Sequence, residues 1–282
     1  MLPPDGHVHS EWSWDTVAAD MDRTCARAVE IGLPSVAFTE HADFAPYIFE
    51  AGRLEGLPQA FLRHMGGTNV LRHPTFDADG YLACIERCRA RYPDLQILSG
   101  VEISEPHWHP EKVAQLTSGN RFERILGSVH SRRIEGGARM FESYYRSESA
   151  EDVLRGYLQE VSDMVEGSSV FAVLAHVDYA VRHWPQTAGP YHPATFEAEH
   201  RTVLRALAQS GRCLEVNTRV PLHAEIVRWW YEVGGEGVSF ASDAHRPENV
   251  GIGFEQAAQM VEAQGFRPGK RPTDLWQRAL TR

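Results

Sequence analysis

Two imidazoles stand two residues apart in Asp5-Gly6-His7-Val8-His9. On a strand, residues i and i+2 point to the same face, so His7 and His9 can meet one metal ion. Asp243 and His245, in Ser242-Asp243-Ala244-His245, form a second same-face pair. Other candidate ligands close short apolar runs: His41 after Thr39-Glu40, Glu102 after Gly100-Val101, His130 after Gly127-Ser128-Val129, and His176 after Ala175. Histidines and carboxylates scattered by chance fall in helices and loops as often as at strand ends. Their repeated placement at strand ends points to a barrel-type sheet whose rim holds metal. His107-Trp108-His109 has the same spacing but lies between Pro106 and Pro110, and it reads as a loop without ligands.

Imidazole with carboxylate and no thiolate suits zinc, manganese or iron. The candidates exceed what one ion takes, so two to three divalent ions are expected. A carboxylate such as Glu102 can bridge two of them. Divalent ions held about 3.5–4 Å apart favour in-line attack at phosphorus. The sixth strand end, Glu215-Val216-Asn217, adds a further candidate carboxylate and amide.

The elements that position these residues alternate. Strand patterns cover 6–9, 35–39, 96–102, 124–130, 171–176, 213–217 and 237–242. Helical spacing covers 20–31, 81–91, 150–166, 195–210 and 222–233. Gly32, Gly211 and Gly234 follow three of these helices, where a left-handed cap is favoured. Strands separated by helices imply parallel pairing and right-handed crossovers. Seven such units fit a closed α/β barrel. No composition shift marks a boundary, so residues 1–282 read as one domain. Residues 43–80 are the longest irregular stretch and read as a lid insertion. The Pro- and Gly-containing tail after 265 reads as a terminal wrap.

The 282 residues suffice for one barrel. A formal charge of −10 disfavours long nucleic acid and anionic membrane as partners. The N-terminus shows no basic stretch followed by an apolar run, and no apolar run approaches the ~20 residues of a membrane span. The expectation is a cytoplasmic protein. Cys25, Cys84, Cys88 and Cys213 then read as free thiols in a reducing compartment. The oligomeric state is not legible.

Taken together, His-x-His, Asp15, Thr39-Glu40-His41, Gly100-Val101-Glu102, Gly127-Ser128-Val129-His130, Ala175-His176-Val177-Asp178, Glu215-Val216-Asn217 and Ser242-Asp243-Ala244-His245 resemble the polymerase-and-histidinol-phosphatase (PHP) superfamily. The pattern is most similar to its histidinol-phosphatase branch. The resemblance implies a distorted (β/α)7 barrel with the metal site at the C-terminal ends of the strands. It implies that His7, His9, Glu102 and Asp243 hold a first metal. Glu102 bridges to a second, completed by His130 and His176, and Asp15, His41 and His245 hold a third, so the three sites are complete without Glu215-Val216-Asn217, which is left as pocket wall. Asp15 stands where some relatives carry histidine, which favours manganese or iron at that site.

The implied reaction is hydrolysis of a small-molecule phosphomonoester, histidinol phosphate first among the substrates. Glu102, Asp243 and His176 are the residues expected to carry it. Phosphate recognition calls for arginine, whose planar fork suits paired oxygens. Arg132, Arg219 and Arg246 are the candidates just beyond strand ends. Glu105 and Asp178 are candidate partners for a substrate ammonium. Two alternatives stay open at this level: action on another small phosphoester or a nucleotide, and a non-catalytic metal-binding domain.

Overall fold

The computed structural model describes residues 2–50, 52 and 54–279. The strands in chain order are β1 (Asp5–Val8), β2 (Ser35–Ala42), β3 (Tyr47–Ile48), β4 (Val70–Leu71), β5 (Gln96–Ser104), β6 (Arg124–Ser128), β7 (Ser131–Ile134), β8 (Gly137–Met140), β9 (Val173–Leu174), β10 (Cys213–Asn217), β11 (Gly237–Ala241), β12 (Phe266–Arg267) and β13 (Trp276–Arg278). The helices are α1 (Met21–Glu30), α2 (Gln59–Leu62), α3 (Ala78–Arg91), α4 (Pro110–Thr117), α5 (Ala150–Gly167), α6 (Glu197–Gln209), α7 (Ala224–Glu232) and α8 (Phe254–Ala263).

The larger sheet has the order β1-β2-β5-β6-β9-β10-β11-β13-β12. Pairing is parallel from β1 through β11. The sheet curls until its two ends meet: the His9 N–H donates to Ala244 O at 2.9 Å, and the Asp243 N–H donates to His7 O at 2.9 Å. Below them the Asp5 carboxylate accepts from the Ser242 backbone N–H at 3.0 Å, the Ser242 hydroxyl at 2.5 Å and the Gly251 N–H at 3.1 Å. The strand expectations hold in place and order, with β2 and β5 running longer and β6 and β9 shorter than their patterns.

Sequence dictates the helix ends. Asp20 caps α1 by accepting the Arg23 N–H, Asp77 caps α3, and Ser149 caps α5. Along α5 the apolar stripe Val153, Leu154, Tyr157, Leu158, Val161 and Val165 is buried against the sheet. Trp229 and Trp230 of α7 are buried in the same layer, where the Trp230 indole donates to Gly237 O at 3.1 Å. Gly100, mid-strand in β5, is required by crowding: a Cβ there would stand 2.6 Å from Arg124 O and 2.8 Å from Thr39 Cγ2.

The 43–80 stretch differs from a plain lid. It carries β3, α2 and β4, and β3 pairs with the β7–β8 hairpin to make a second sheet of order β4-β3-β8-β7. This sheet has its own apolar cluster of Trp14, Ala45, Tyr47, Met65, Leu71 and Ala138. Its short strands left no periodic signal in the sequence. The tail after 265 adds antiparallel strands to the edge of β11, rather than wrapping loosely. Residues 280–282 of that tail, and Ala51 and Arg53 of the insertion, lie outside the described residues. Among the described residues no helix is long and apolar enough to cross a membrane.

Candidate metal centre

Strand geometry gathers the candidate ligands at the C-terminal ends of the parallel strands. Glu102 sits at their middle, fully buried, and in register with His41 of the neighbouring strand. Its two oxygens face different partners. Oε2 lies 3.2 Å from His7 Nε2, 3.4 Å from His9 Nε2 and 3.2 Å from His41 Nδ1. Oε1 lies 2.8 Å from His176 Nε2 and 3.4 Å from His130 Nε2. Asp243 Oδ1 stands 3.5 Å from His9 Nε2 and 3.9 Å from His7 Nε2. Asp15 Oδ2 stands 2.9 Å from His245 Nε2 and 3.5 Å from His41 Nε2. All nine sequence-expected ligands therefore converge.

Backbone strain marks two of these positions. His176 has φ +21° and Asp243 has φ +51°, in the left-handed region that non-glycine residues avoid. Each stands two residues past the end of a strand, β9 for His176 and β11 for Asp243, where the chain turns away instead of continuing the strand.

A layer of hydrogen bonds fixes the rings. His7 Nδ1 lies 2.8 Å from Glu215 Oε2, and Glu215 Oε1 accepts the His176 backbone N–H at 3.0 Å. His9 Nδ1 lies 2.9 Å from Ser13 Oγ, whose hydroxyl donates to Glu40 Oε2 at 2.6 Å. His130 Nδ1 lies 2.8 Å from Ser104 Oγ. Glu215 therefore supports His7 from beneath, and neither it nor Asn217 lines the cavity, which corrects the pocket-wall expectation. The reason is pleat geometry: Glu215 and Asn217 share the face that packs under the rings.

These bonds test whether the residues fit a metal. With Nδ1 donating to Glu215 and to Ser13, His7 and His9 each present a lone pair at Nε2. Those two nitrogens stand 3.0 Å apart beside two carboxylates. His130 and His176 bring their Nε2 atoms within 3.4 Å of each other. Facing lone pairs in a buried acidic cluster repel unless a cation lies between them, so the donor set fits divalent metal. Four overlapping trios have ligand atoms close enough for one ion: His7-His9-Asp243, His7-Glu102-His176, His41-Glu102-His130 and His9-His41-His245.

Within the protein alone, protons take the place of a cation in this cluster: burial pulls His7 down, but Glu215, Glu102 and Asp243 outweigh it and raise the ring well above its ordinary value. Burial pushes the Glu102 carboxyl up, but His41, His7 and His130 outweigh it and hold the group well below the usual range. For Asp243, Arg182, His7, the His9 hydrogen bond and Arg219 outweigh burial in the same way. Burial, with His245 and His41 nearby, drives His9 well below its ordinary value.

A cavity of about 470 Å³ opens over the cluster. Arg182, His183 and Arg219 line one part of it, and Arg182 pairs with Asp243 Oδ2 at 2.6 Å. Asp43, Glu142, Trp14, Tyr47, Phe49 and Phe61 line another, supplied largely by the small sheet and its insertion. Arg219 is thus at the cavity, as expected. Arg132 is not: it lies on β7, pairs with Glu148 at 2.9 Å and stacks over Tyr144. Arg246 is exposed beside Glu248. Glu105 spends its carboxylate on the His130 and Ser131 backbone N–H groups, and Asp178 does not line the cavity. Arg182 was missed because it lies six residues beyond His176, at the end of a 3-10 turn that no apolar period announces. Glu142 was missed for a similar reason, standing in the 3-10 segment after β8.

These features define a class: a curled, mainly parallel α/β sheet with a His/carboxylate cluster at its strand ends that could hold metal. Residues 5–219 match the family model of the PHP domain, and the chain belongs to that family. It is 24% identical over 277 residues to the histidinol-phosphatase of Lactococcus lactis subsp. lactis, covering 93% of this chain and 91% of that one. It is 24% identical over 272 residues to a Thermotoga maritima protein named "Probable histidinol-phosphatase", covering 93% and 92%. The crystal structure of the Lactococcus lactis histidinol phosphate phosphatase, complexed with zinc, L-histidinol and phosphate, matches with a TM-score of 0.76. That match is at 22% identity and covers 94% of each chain, so it shows a shared fold.

Proposed function

We propose that this protein is a metal-dependent phosphomonoesterase whose substrate is histidinol phosphate, built as a single distorted (β/α)7 barrel. The observation that carries the reading is Glu102, whose two oxygens each face a different set of histidines beneath a cavity that also presents arginines. Family membership and the names of the relatives support the same reading. His7, His9, Glu102 and Asp243 hold one ion; Glu102, His130 and His176 hold a second; Asp15, His41 and His245 hold a third. Zinc, manganese and iron all fit these donors, and the Asp15 carboxylate favours the latter two at the third site. Two to three such ions, when bound, supply Lewis acidity toward phosphoryl oxygens and lower the pKa of a bound water.

The chain's own residues do the rest. Arg182 and Arg219 grip the phosphate oxygens, replacing Arg132 and Arg246 in that role. Asp243 holds Arg182 in place. Glu102 fixes the two ligand sets in one geometry, and His176 completes it from a strained backbone. The acidic and aromatic wall opposite receives a cationic, ring-bearing leaving group. Glu142 is partly buried, has a buried Oε2 without a partner, and faces that space as the acceptor for an ammonium. A cytoplasmic location belongs to the same reading.

The test is a substrate panel on protein loaded with zinc, manganese or iron. Histidinol phosphate should release inorganic phosphate faster than mononucleotides or other small phosphoesters, and Glu102→Gln should lose that activity. Faster turnover of a nucleotide would move the substrate assignment. Full metal content with no phosphoesterase activity on any substrate would leave a binding domain.

A further inference from the structure

The wall opposite the arginines holds a carboxylate that nothing described so far employs. Asp43 lines the cavity with its side chain buried. Its Oδ2 accepts the Trp14 indole N–H at 2.6 Å, while Oδ1 has no partner. The nearest imidazole nitrogens, His41 Nδ1 and His73 Nδ1, stand 4.0 Å away, beyond hydrogen-bond reach. Its other polar neighbour is the Ser104 hydroxyl, which also meets His130 Nδ1 at 2.8 Å. A buried carboxylate oxygen left without a donor is costly, and here the cavity is where a donor can arrive.

The surroundings specify that donor's shape. The Trp14 ring lies 5.1 Å from Phe61 and 6.5 Å from Tyr47, so the space beside Asp43 is walled by flat rings. The same rings already receive one imidazole edge-on, that of His73, at 4.6 Å from Trp14 and 4.6 Å from Tyr47. Both ring nitrogens of His73 are buried without partners, so this polar patch is not satisfied internally.

We infer that Asp43 is the specificity-determining residue for a planar N–H heteroaromatic ring on the leaving group, which it receives as a hydrogen bond from the ring N–H between the aromatic walls. The inference rests on the phosphomonoesterase reading. It adds that recognition of the ring is separable from recognition of the phosphate.

Wild-type and Asp43→Asn enzymes, each loaded with manganese and checked for equal metal content, are compared on histidinol phosphate and on 4-nitrophenyl phosphate, which has no ring N–H. The variant amide keeps the Trp14 bond through its oxygen and turns an N–H donor toward the substrate's own donor. The expected result is a loss of about 10- to 100-fold in kcat/KM for histidinol phosphate, with little change for the nitrophenyl ester. A parallel measurement needs no variant. L-Histidinol should inhibit the wild-type enzyme more strongly than L-phenylalaninol, which has the same amino alcohol on a ring without N–H. Equal inhibition by the two, or equal losses on both substrates with metal retained, overturns the inference. A wild-type enzyme that fails to hydrolyse histidinol phosphate at all instead overturns the substrate reading beneath it.

Discussion

Glu215 Oε2 lies 2.8 Å from His7 Nδ1, and neither side chain is exposed. The other oxygen of the same carboxylate holds the backbone N–H of His176 at 3.0 Å. One acid thus orients residues assigned to two different metals. Glu215→Ala frees the His7 ring and unties the His176 kink together. Metal affinity should fall about 10- to 100-fold, as measured by titrating metal into the stripped protein. Unchanged affinity would mean that the rings are held by packing alone.

Arg182 and Arg219 should separate in their effects. Arg219 is half exposed, so Arg219→Ala should raise KM about tenfold or more while leaving the melting temperature nearly unchanged. Arg182 is almost buried against Asp243. Arg182→Ala leaves that carboxylate without its partner, and in metal-free protein should cost on the order of 3–5 kcal/mol by denaturant unfolding. Bound metal should narrow that loss, because it supplies Asp243 with another positive charge.

Chelation should destabilise the fold as well as silence it. The cluster packs carboxylates and facing imidazole lone pairs into a buried space, and metal bound only to the folded state adds stability by mass action. At a free metal concentration of 100 times Kd the gain is about 2.7 kcal/mol per site. Thermal unfolding of stripped protein, with and without zinc or manganese, reads this directly. No shift with any of the divalent ions would remove the metal assignment.

His200 gives a pH dependence away from the metals. It is fully buried on α6, its Nε2 meets the Tyr191 hydroxyl at 3.1 Å, and Nδ1 has no partner. Burial, with His223 nearby, lowers its pKa to about 4. The unfolded chain takes up the proton near 6.5, so it binds more protons than the folded chain between those values. Stability therefore falls as pH drops from about 6.5 to about 4, by ~3 kcal/mol from this group. Urea unfolding across that range should show the slope, and His200→Gln should lose it.

Much of the site was legible because metal ligands have few chemical identities and strands have a period of two. His7 and His9 declare their common face by spacing alone, whereas Asp243 and His245 lie past the end of β11, where the left-handed Asp243 backbone rather than strand period sets their directions. Glu102 ends a run too apolar to tolerate an acid without a partner. The second sheet was not legible, since two-residue strands such as Tyr47–Ile48 leave no period to read. That omission misplaced Arg132: the sequence after His130 reads as a rim loop, but Ser131–Ile134 turns into a hairpin and carries the arginine away. Arg182 and Glu142 escaped because 3-10 segments place side chains by local turns rather than by repeat. Glu215 was found but read as pocket wall, because spacing puts an acid at a strand end without showing that its carboxylate meets a histidine ring.

The seam between His7–His9 and Asp243–Ala244 also sets when the centre can exist. The residues on one side of the seam, His7 and His9, leave the ribosome more than two hundred positions before Asp243 on the other. During synthesis a nascent chain carries His7, His9, Glu102, His130 and His176 without the aspartate that completes the first group. On the proposed assignment, completion of the first group is thereby deferred until the segment after β11 docks against β1. A chain halted short of Ser242 also lacks the Asp5 contacts that fasten the two ends, so a truncated product has neither a closed sheet nor a full set of ligands.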